Sequence, residues 1–170
     1  MPTLIELKDG VARIAEDTFA YAVEGENLPG GDVILSLARF QTDGERLLSE
    51  GRRVGVRLTA DEAVEALAYD LPQLSLVALD FPKNLDGRAF SNARVLRERL
   101  NFTGQVRAVG DVLREYAGFM VRCGFDAFEP ADGASASEWQ AASQRYRHVY
   151  QRGADALARS EEHTSELQSL

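Results

Sequence analysis

Short apolar runs near the start of the chain alternate weakly with polar positions and then give way to a polar stretch. Residues 3–14 carry two such runs on either side of Asp9-Gly10, and Asp-Gly between apolar runs is typical of a tight β-hairpin. Residues 24–31 are rich in glycine and acidic side chains, a composition that favours a loop. We therefore predict an N-terminal hairpin and linker loop over residues 1–31.

From residue 32 onward, segments with the apolar pattern of strands alternate with segments with the apolar spacing of helices. Continuous apolar runs of the length of buried strands are each followed by apolar residues at helical spacing. Thr59 or Asp61 is expected to cap the second of the helices. The pattern predicts strands over residues 33–37, 53–58, 74–79, 105–109 and 125–128, and helices over residues 42–51, 59–67, 90–100, 112–123 and 137–152.

Strands that alternate with helices through short loops imply βα units and a parallel sheet. The predicted fold is therefore an α/β domain over residues 32–158, with about five βα units and right-handed crossovers. An open sheet and half of a βα barrel both satisfy this pattern. In either arrangement, ligands gather at the carboxyl ends of the strands.

The last twelve residues, 159–170, have no apolar period and no connection to the pattern before them. They resemble the translation of a common short-read sequencing adapter. We expect this tail to be a non-native artefact, and the fold prediction leaves it out.

Composition narrows the class of protein. Of the 170 residues 45% are hydrophobic, and no apolar run approaches the ~20 residues that a membrane span needs. The start of the chain has no basic region followed by an apolar one, so we expect a cytoplasmic protein without a membrane partner. The net charge of −8 argues against nucleic acid as a partner.

The chain offers little for holding a metal or a redox group. Its single cysteine, Cys123, excludes an intramolecular disulfide and a four-cysteine iron–sulfur or zinc site within the chain. His148 has no acidic or thiol partner at ligand spacing, and no glycine-rich phosphate loop or dinucleotide fingerprint is present. The sequence therefore predicts no metal site and no identifiable cofactor.

Charge is distributed unevenly along the chain. Residues 1–79 carry a net charge of −7, whereas residues 80–122 carry a net charge of +3. A basic segment in an acidic protein suggests a local anion site. The alternative is a solvated helix face on which arginines pair with carboxylates.

Charged residues follow or lie within the two central predicted strands, at 74–79 and 105–109. Because carboxyl ends of parallel strands meet at one edge of a sheet, we expect a site for a small oxyanion there. In the alternative, Asp111 caps a helix and the arginines are surface or ion-paired residues. The predicted anion-binding residues are Lys83, Arg88, Arg107 and Arg114, and the candidate acid–base residues are Lys83, Asp86 and Asp111.

A connected string of motifs in the same segment resembles domain-of-unknown-function family 934. The motifs are LDFPK (residues 79–83), DGR (86–88), LRERL (96–100), VRAVGDVLR (106–114) and RCGFDAF (122–128). The family is bacterial, and its genes lie beside those of assimilatory sulfite reductase and sulfonucleotide reductase. Its members are described as oxidoreductases of sulfite reduction, and the family supplies no established catalytic residues.

The resemblance implies an accessory protein of assimilatory sulfite reduction. It would act with sulfite reductase or another sulfur-assimilation enzyme through the basic, arginine-rich edge. Two alternatives stay open: a small-molecule enzyme that binds an anionic substrate at the carboxyl ends of the strands, and a structural domain without a ligand. Whether the protein is itself an enzyme is open at this point.

Overall fold

The computed structural model describes residues 3–83 and 87–144, which form one sheet of eight strands with four α-helices. The strands are β1 (Leu4–Lys8), β2 (Val11–Ala15), β3 (Ala20–Tyr21), β4 (Val33–Ser36), β5 (Val54–Leu58), β6 (Leu76–Phe81), β7 (Gln105–Gly110) and β8 (Ala127–Phe128). The helices are α1 (Leu37–Ser49), α2 (Arg88–Arg94), α3 (Ala117–Cys123) and α4 (Ala136–Ser143). Among these residues no helix is long and apolar enough to cross a membrane.

The sheet has the strand order of half a βα barrel. Its order is β2-β1-β8-β7-β6-β5-β4-β3, and the six strands from β3 to β8 are parallel neighbours in chain order. The sheet is curled. The predicted α/β class is confirmed, and of the two arrangements that the sequence allows the structure adopts the half barrel.

The predicted N-terminal hairpin is confirmed and belongs to the same sheet. Asp9 and Gly10 both have positive φ, at 54° and 80°, as a two-residue turn between antiparallel strands requires. β1 then pairs antiparallel with β8, where Ile5 lies opposite Phe128. The two-residue strand β3 was not predicted, because two residues are too few to form a periodic pattern.

Helix α1 begins five residues earlier than predicted and ends at Ser49, two residues before the predicted end. The Ser36 hydroxyl accepts a 3.1 Å hydrogen bond from the Arg39 N–H, so the helix starts at Leu37 rather than at residue 42. Gly51, with φ of 78°, follows the last turn. Only glycine adopts this left-handed conformation without steric cost, so it ends the helix.

The helix predicted between β5 and β6 is wrong. Two short 3₁₀ turns, Val64–Leu67 and Leu71–Gln73, stand in its place. Val64 and Leu67 are buried as the helical period requires, so the error concerns the type and length of the helix. Thr59 does not cap a helix, since its N–H binds Glu62 and its hydroxyl binds Asp61.

The later helices are placed as predicted but with different lengths. α2 continues into a π-helical turn, Val95–Arg99, and α3 is preceded by a 3₁₀ turn, Arg114–Tyr116, so it begins five residues after the predicted start. α4 starts at a capping box in which Ser135 and Glu138 each bind the other's backbone N–H. The rest of the helix predicted to residue 152, with His148 and the tail, lies outside the described residues.

Two apolar clusters lie on opposite faces of the sheet. The larger one joins Leu35, Val56 and Leu79 to residues of all four helices, including Trp139, so the helices cover one face, which is the convex one in a half barrel. The smaller cluster contains Phe19, Ile34, Leu76, Ala78 and Val109, which alternate along the strands with the first set. The concave face thus has a small apolar centre.

Candidate functional site

Alternation along the central strands places charged side chains on the concave face. Arg57 of β5 and Arg107 of β7 both pair in register with Ala78 of β6, one from each side. Asp80 follows Ala78 by two residues and therefore lies on the same face. This face carries a buried network of charges and, at the carboxyl ends of β5 and β6, a more open ion pair.

Arg107 is at the centre of the buried network and is only 1% exposed. Its Nη1 and Nη2 lie 2.9 and 3.3 Å from the two carboxylate oxygens of Asp17, and Nη1 lies 3.1 Å from Glu129 Oε2. Its Nε donates to Gln105 Oε1 at 2.8 Å. Burial disfavours the charged guanidinium, but the hydrogen bond and charge of Asp17, with the charge of Glu129, outweigh it and raise the pKa of Arg107.

Tyr21 links this network to the open ion pair. Its hydroxyl donates a 2.6 Å hydrogen bond to Glu129 Oε2, and its ring centroid lies 5.5 Å from the guanidinium carbon of Arg57. Burial and the hydrogen bond to Glu129 raise the pKa of Tyr21 well above its usual value. The hydroxyl therefore stays protonated and donates its hydrogen bond to Glu129 at physiological pH.

Arg57 and Asp80 form the open pair, with 3.0 Å between Nη2 and Oδ2 and with 37% and 27% of their side chains exposed. Gly110, at the end of β7, has φ of 87°, and a Cβ on it would collide with the Asp80 carboxylate and the Phe81 carbonyl. Asp80 can therefore occupy its position only because residue 110 has no side chain. Arg57, Asp80 and Gly110 are called the carboxyl-end mouth below.

The predicted site residues lie in different surroundings. Lys83 is exposed two residues after β6, and Arg88 is exposed at the start of α2. Arg107 is held in the buried network, whereas Arg114 pairs with Glu138 of α4 at 2.5 Å and with Asp132 at 3.7 Å.

Arg107 and Arg114 are thus held by separate sets of carboxylates, Asp17 and Glu129 for the first and Asp132 and Glu138 for the second. Both are ion-paired, as in the alternative derived from the sequence. Anion binding by the four predicted side chains stays a prediction.

The predicted acid–base residues are placed as follows. Asp111 is half-buried directly after Gly110, and its backbone N–H donates to the Phe81 carbonyl at 2.8 Å. It does not cap a helix, because the next helical turn begins after Leu113 without a side-chain cap. Asp86 lies outside the described residues.

Four residues of the concave face were not identified as site residues from the sequence. A sequence signal existed only for Arg57. Alternation along β5 places Arg57 on the opposite face from the buried Val54 and Val56, as alternation along β7 does for Arg107. The others occur in short segments without a period, and nothing local indicates their role. The four are Asp17, Tyr21, Arg57 and Glu129.

Arg97 of the basic segment, and Cys123 directly after it, have structural surroundings. Arg97 donates to the carbonyls of Phe102, Gly104 and Gly124, at 2.7–3.0 Å, and so fixes the loop before β7 to the end of α3. Cys123 is fully buried, and burial raises the pKa of its thiol, which makes it unreactive.

Comparisons with known proteins agree with the motifs of the basic segment. The model of the family described as "Bacterial protein of unknown function (DUF934)" matches residues 55–159, which include Arg57, Asp80, Arg107 and Gly110. No curated protein matches the chain. Within the described residues, no three His, Cys, Asp or Glu side chains lie close enough together to hold a metal ion. Because the family model covers more than half of the sequence, this chain belongs to the bacterial DUF934 family.

Proposed function

We propose that the protein is a cytoplasmic accessory protein of assimilatory sulfite reduction that binds a small oxyanion at the carboxyl-end mouth. It acts together with sulfite reductase or another enzyme of sulfur assimilation. Membership of the family and the motif resemblance support the pathway. The position of the mouth supports the binding role, because ligands of βα folds bind at the carboxyl ends of the strands.

The observation that carries the binding role is the open Arg57–Asp80 pair. Their contact joins one terminal nitrogen, Nη2, to one carboxylate oxygen, whereas a guanidinium carries five N–H donors in a planar fork. Such a fork matches the oxygens of sulfite, sulfate or a phosphate. Arg57 can therefore bind an oxyanion from the solvent side while Asp80 and the Tyr21 ring fix its orientation.

Two exposed basic side chains, Lys83 and Arg88, follow β6 at the same end of the sheet as Arg57. A positive side chain near a site raises the rate at which anions reach it.

Binding of sulfite and sulfate to the purified protein, measured by calorimetry, tests the site. Arg57→Ala should weaken binding by about 1.5–3 kcal/mol, the range for hydrogen bonds to charged groups, which is about ten- to a hundredfold in Kd. Arg53→Ala is the matched control, since Arg53 precedes the other end of β5 and also pairs with an aspartate, Asp32. Equal losses in both variants, or no binding by the wild type, contradict the site.

Growth of a deletion strain tests the pathway. In a bacterium with a single copy of the gene, loss of the protein should prevent growth on sulfate and on sulfite but not on sulfide or cysteine. The wild type and Arg53→Ala should restore growth, and Arg57→Ala should not. Normal growth of the deletion strain on sulfate contradicts the pathway, and copurification of a tagged chain without any sulfur-assimilation enzyme contradicts the accessory role.

A second candidate function, a small-molecule enzyme acting on an anionic substrate, is favoured by the position of Asp80. Its carboxylate is partly exposed beside an arginine that can hold the substrate, which is the arrangement of an acid–base residue. In that case Asp80→Asn should abolish turnover while sulfite or sulfate binding persists. If Asp80→Asn and Arg57→Ala leave growth and binding unchanged, the structural-domain alternative stands.

A further inference from the structure

The carboxylate of the carboxyl-end mouth has acceptor positions that no protein donor fills. Asp80 Oδ2 lies 3.0 Å from Arg57 Nη2, and 27% of the Asp80 side chain is exposed. The other oxygen, Oδ1, lies against Gly110, where a Cβ would collide with it. An ionised carboxylate has about four acceptor positions and no donor. Within residues 3–83 and 87–144, no N–H or O–H donor other than those of Arg57 contacts this carboxylate.

The arginine of the mouth has unfilled donors in turn. A guanidinium carries five N–H groups, and the contact with Asp80 involves one terminal nitrogen of Arg57. The polar neighbours of Arg57 are already engaged. Ser36, in register with Arg57 on β4, donates its hydroxyl to Glu24 at 2.5 Å. The Tyr21 hydroxyl is used by the buried network. In the described part of the chain, the mouth therefore presents the donors of one arginine beside the acceptors of one carboxylate.

We propose that the mouth selects oxyanions that carry a proton, such as hydrogen phosphate or hydrogen sulfite, and discriminates against sulfate. Arg57 binds the unprotonated oxygens of the ligand, and Asp80 accepts the hydrogen bond of its hydroxyl. Sulfate has no hydroxyl at physiological pH, so its oxygens meet the carboxylate with no proton between them. Sites that bind a ligand hydroxyl reject the analogue that lacks it. This inference rests on the proposed function and adds Asp80 as its specificity-determining residue.

Hydrogen phosphate and sulfate are a matched pair of ligands for the test. At mildly alkaline pH both are tetrahedral dianions of similar size, and they differ in one hydroxyl proton. Calorimetry on the full chain should give a Kd for phosphate at least about tenfold below the Kd for sulfate, because a hydrogen bond to a charged acceptor contributes that much. Equal affinities for the two anions overturn the proposal.

Monofluorophosphate separates the effect of the proton from the effect of the central atom. Fluorine replaces the hydroxyl of hydrogen phosphate, so this dianion keeps the shape and loses the donor. It should bind as weakly as sulfate, and binding as tight as that of phosphate overturns the proposal.

Sulfite connects the selectivity to the pathway. It is partly hydrogen sulfite near neutral pH and should bind more tightly than sulfate. A lower Kd for sulfite than for phosphate supports the sulfur pathway proposed above. The reverse order counts against that pathway but supports selection of a protonated oxyanion.

Variants of Asp80 test the acceptor. Asp80→Asn replaces an acceptor oxygen with an N–H donor, which suits sulfate, so the preference for phosphate over sulfate should disappear. Asp80→Ala removes the acceptor without adding a donor and should also lose the preference. Asp32→Asn is the matched control, because Asp32 pairs with Arg53 at the other end of β5 and 23% of its side chain is exposed. It should keep the wild-type preference. A preference that persists in both Asp80 variants overturns the proposal.

The same titrations distinguish failure of this inference from failure of the mouth. If the wild type binds phosphate and sulfate equally and Arg57→Ala weakens both, the mouth binds oxyanions and Asp80 does not select among them. If the wild type binds none of these anions, the binding role of the mouth is contradicted, and the selectivity with it. Melting temperatures of the variants identify any that fail to fold, and the wild-type comparison of phosphate, sulfate and monofluorophosphate decides the proposal without them.

Discussion

The Tyr21 hydroxyl donates a 2.6 Å hydrogen bond to Glu129 Oε2 and so joins the two ends of the parallel sheet. Tyr21 is on β3 and Glu129 directly follows β8, and four strands lie between them. The contact exists because the sheet curls until its outer parallel strands face each other. The same side chain places its ring against Arg57, so the curl of the sheet and the geometry of the mouth are linked through one residue.

Removal of Arg107 should destabilise the protein strongly. Arg107→Ala leaves the carboxylates of Asp17 and Glu129 without their cation in a buried setting, and a broken buried pair costs about 3–5 kcal/mol. The free energy of unfolding, from urea titration, measures this. Arg114→Ala is the control, because its ion pairs are about half exposed and should contribute ~0–1 kcal/mol. Similar losses in both variants contradict the assignment of Arg107 to a buried network.

Removal of the Tyr21 hydroxyl alone should also lower the free energy of unfolding. Tyr21→Phe keeps the ring beside Arg57 but removes the hydrogen bond to Glu129, a bond to a charged acceptor that contributes about 1.5–3 kcal/mol. Tyr69→Phe removes the same atom from an exposed ring and should leave the free energy of unfolding unchanged. Chemical denaturation of the two variants gives the comparison. If Tyr21→Phe leaves the free energy of unfolding unchanged, the link between the ends of the sheet is dispensable for stability.

A side chain at position 110 should disturb the mouth. Gly110→Ala combines a positive φ with a collision against the Asp80 carboxylate and the Phe81 backbone. Gly133→Ala has a positive φ but open space around it, so it should cost only the ~1–2 kcal/mol of a left-handed residue. Gly110→Ala should lower the free energy of unfolding by more than this. Adding Asp80→Gly to the Gly110→Ala variant should recover part of the difference, because it removes the colliding carboxylate. Equal unfolding free energies for Gly110→Ala and Gly133→Ala contradict this packing.

The start of α4 should weaken in acid. Backbone and side-chain hydrogen bonds from Ser135, together with Arg114, lower the pKa of Glu138 to about 2. A lowered carboxyl pKa means that the folded state favours the ionised form. Its stabilising contribution is therefore present above the ordinary glutamate pKa of about 4.3 and is lost as the pH falls towards 2.

Carboxyl NMR shifts measure this titration directly. Ser135→Ala removes the side-chain hydrogen bond but keeps the backbone N–H that lowers the pKa of Glu138 most, so it should raise this pKa only in part, and Arg114→Ala should also raise it. Glu115, which is an exposed carboxylate before α3, provides the control. An unchanged Glu138 titration in both Ser135→Ala and Arg114→Ala contradicts the assigned side-chain causes.

Local sequence determined much of the fold. The apolar runs predict five of the parallel strands, and Asp9-Gly10 predicts the hairpin, because these signals depend on side-chain alternation and turn geometry within a few residues. The strand-end rule directed attention to the charged residues after the strand predicted at 74–79, where the structure places Asp80. In the β5–β6 crossover the helical period correctly identified Val64 and Leu67 as buried residues, but the predicted helix was wrong because the segment forms only short 3₁₀ turns.

Tertiary structure alone decided which charges meet. Arg107 and Asp17 are 90 residues apart, and Tyr21 and Glu129 are 108 residues apart, so no local pattern relates them. Their contacts depend on the summed twist of six strands, which curls the sheet and brings its two ends within reach of one side chain. From the sequence, Arg107 is equally suited to an external anion and to an internal carboxylate. The curl delivers Asp17 and Glu129 to it, and leaves Arg57 as the arginine at the open end of the sheet.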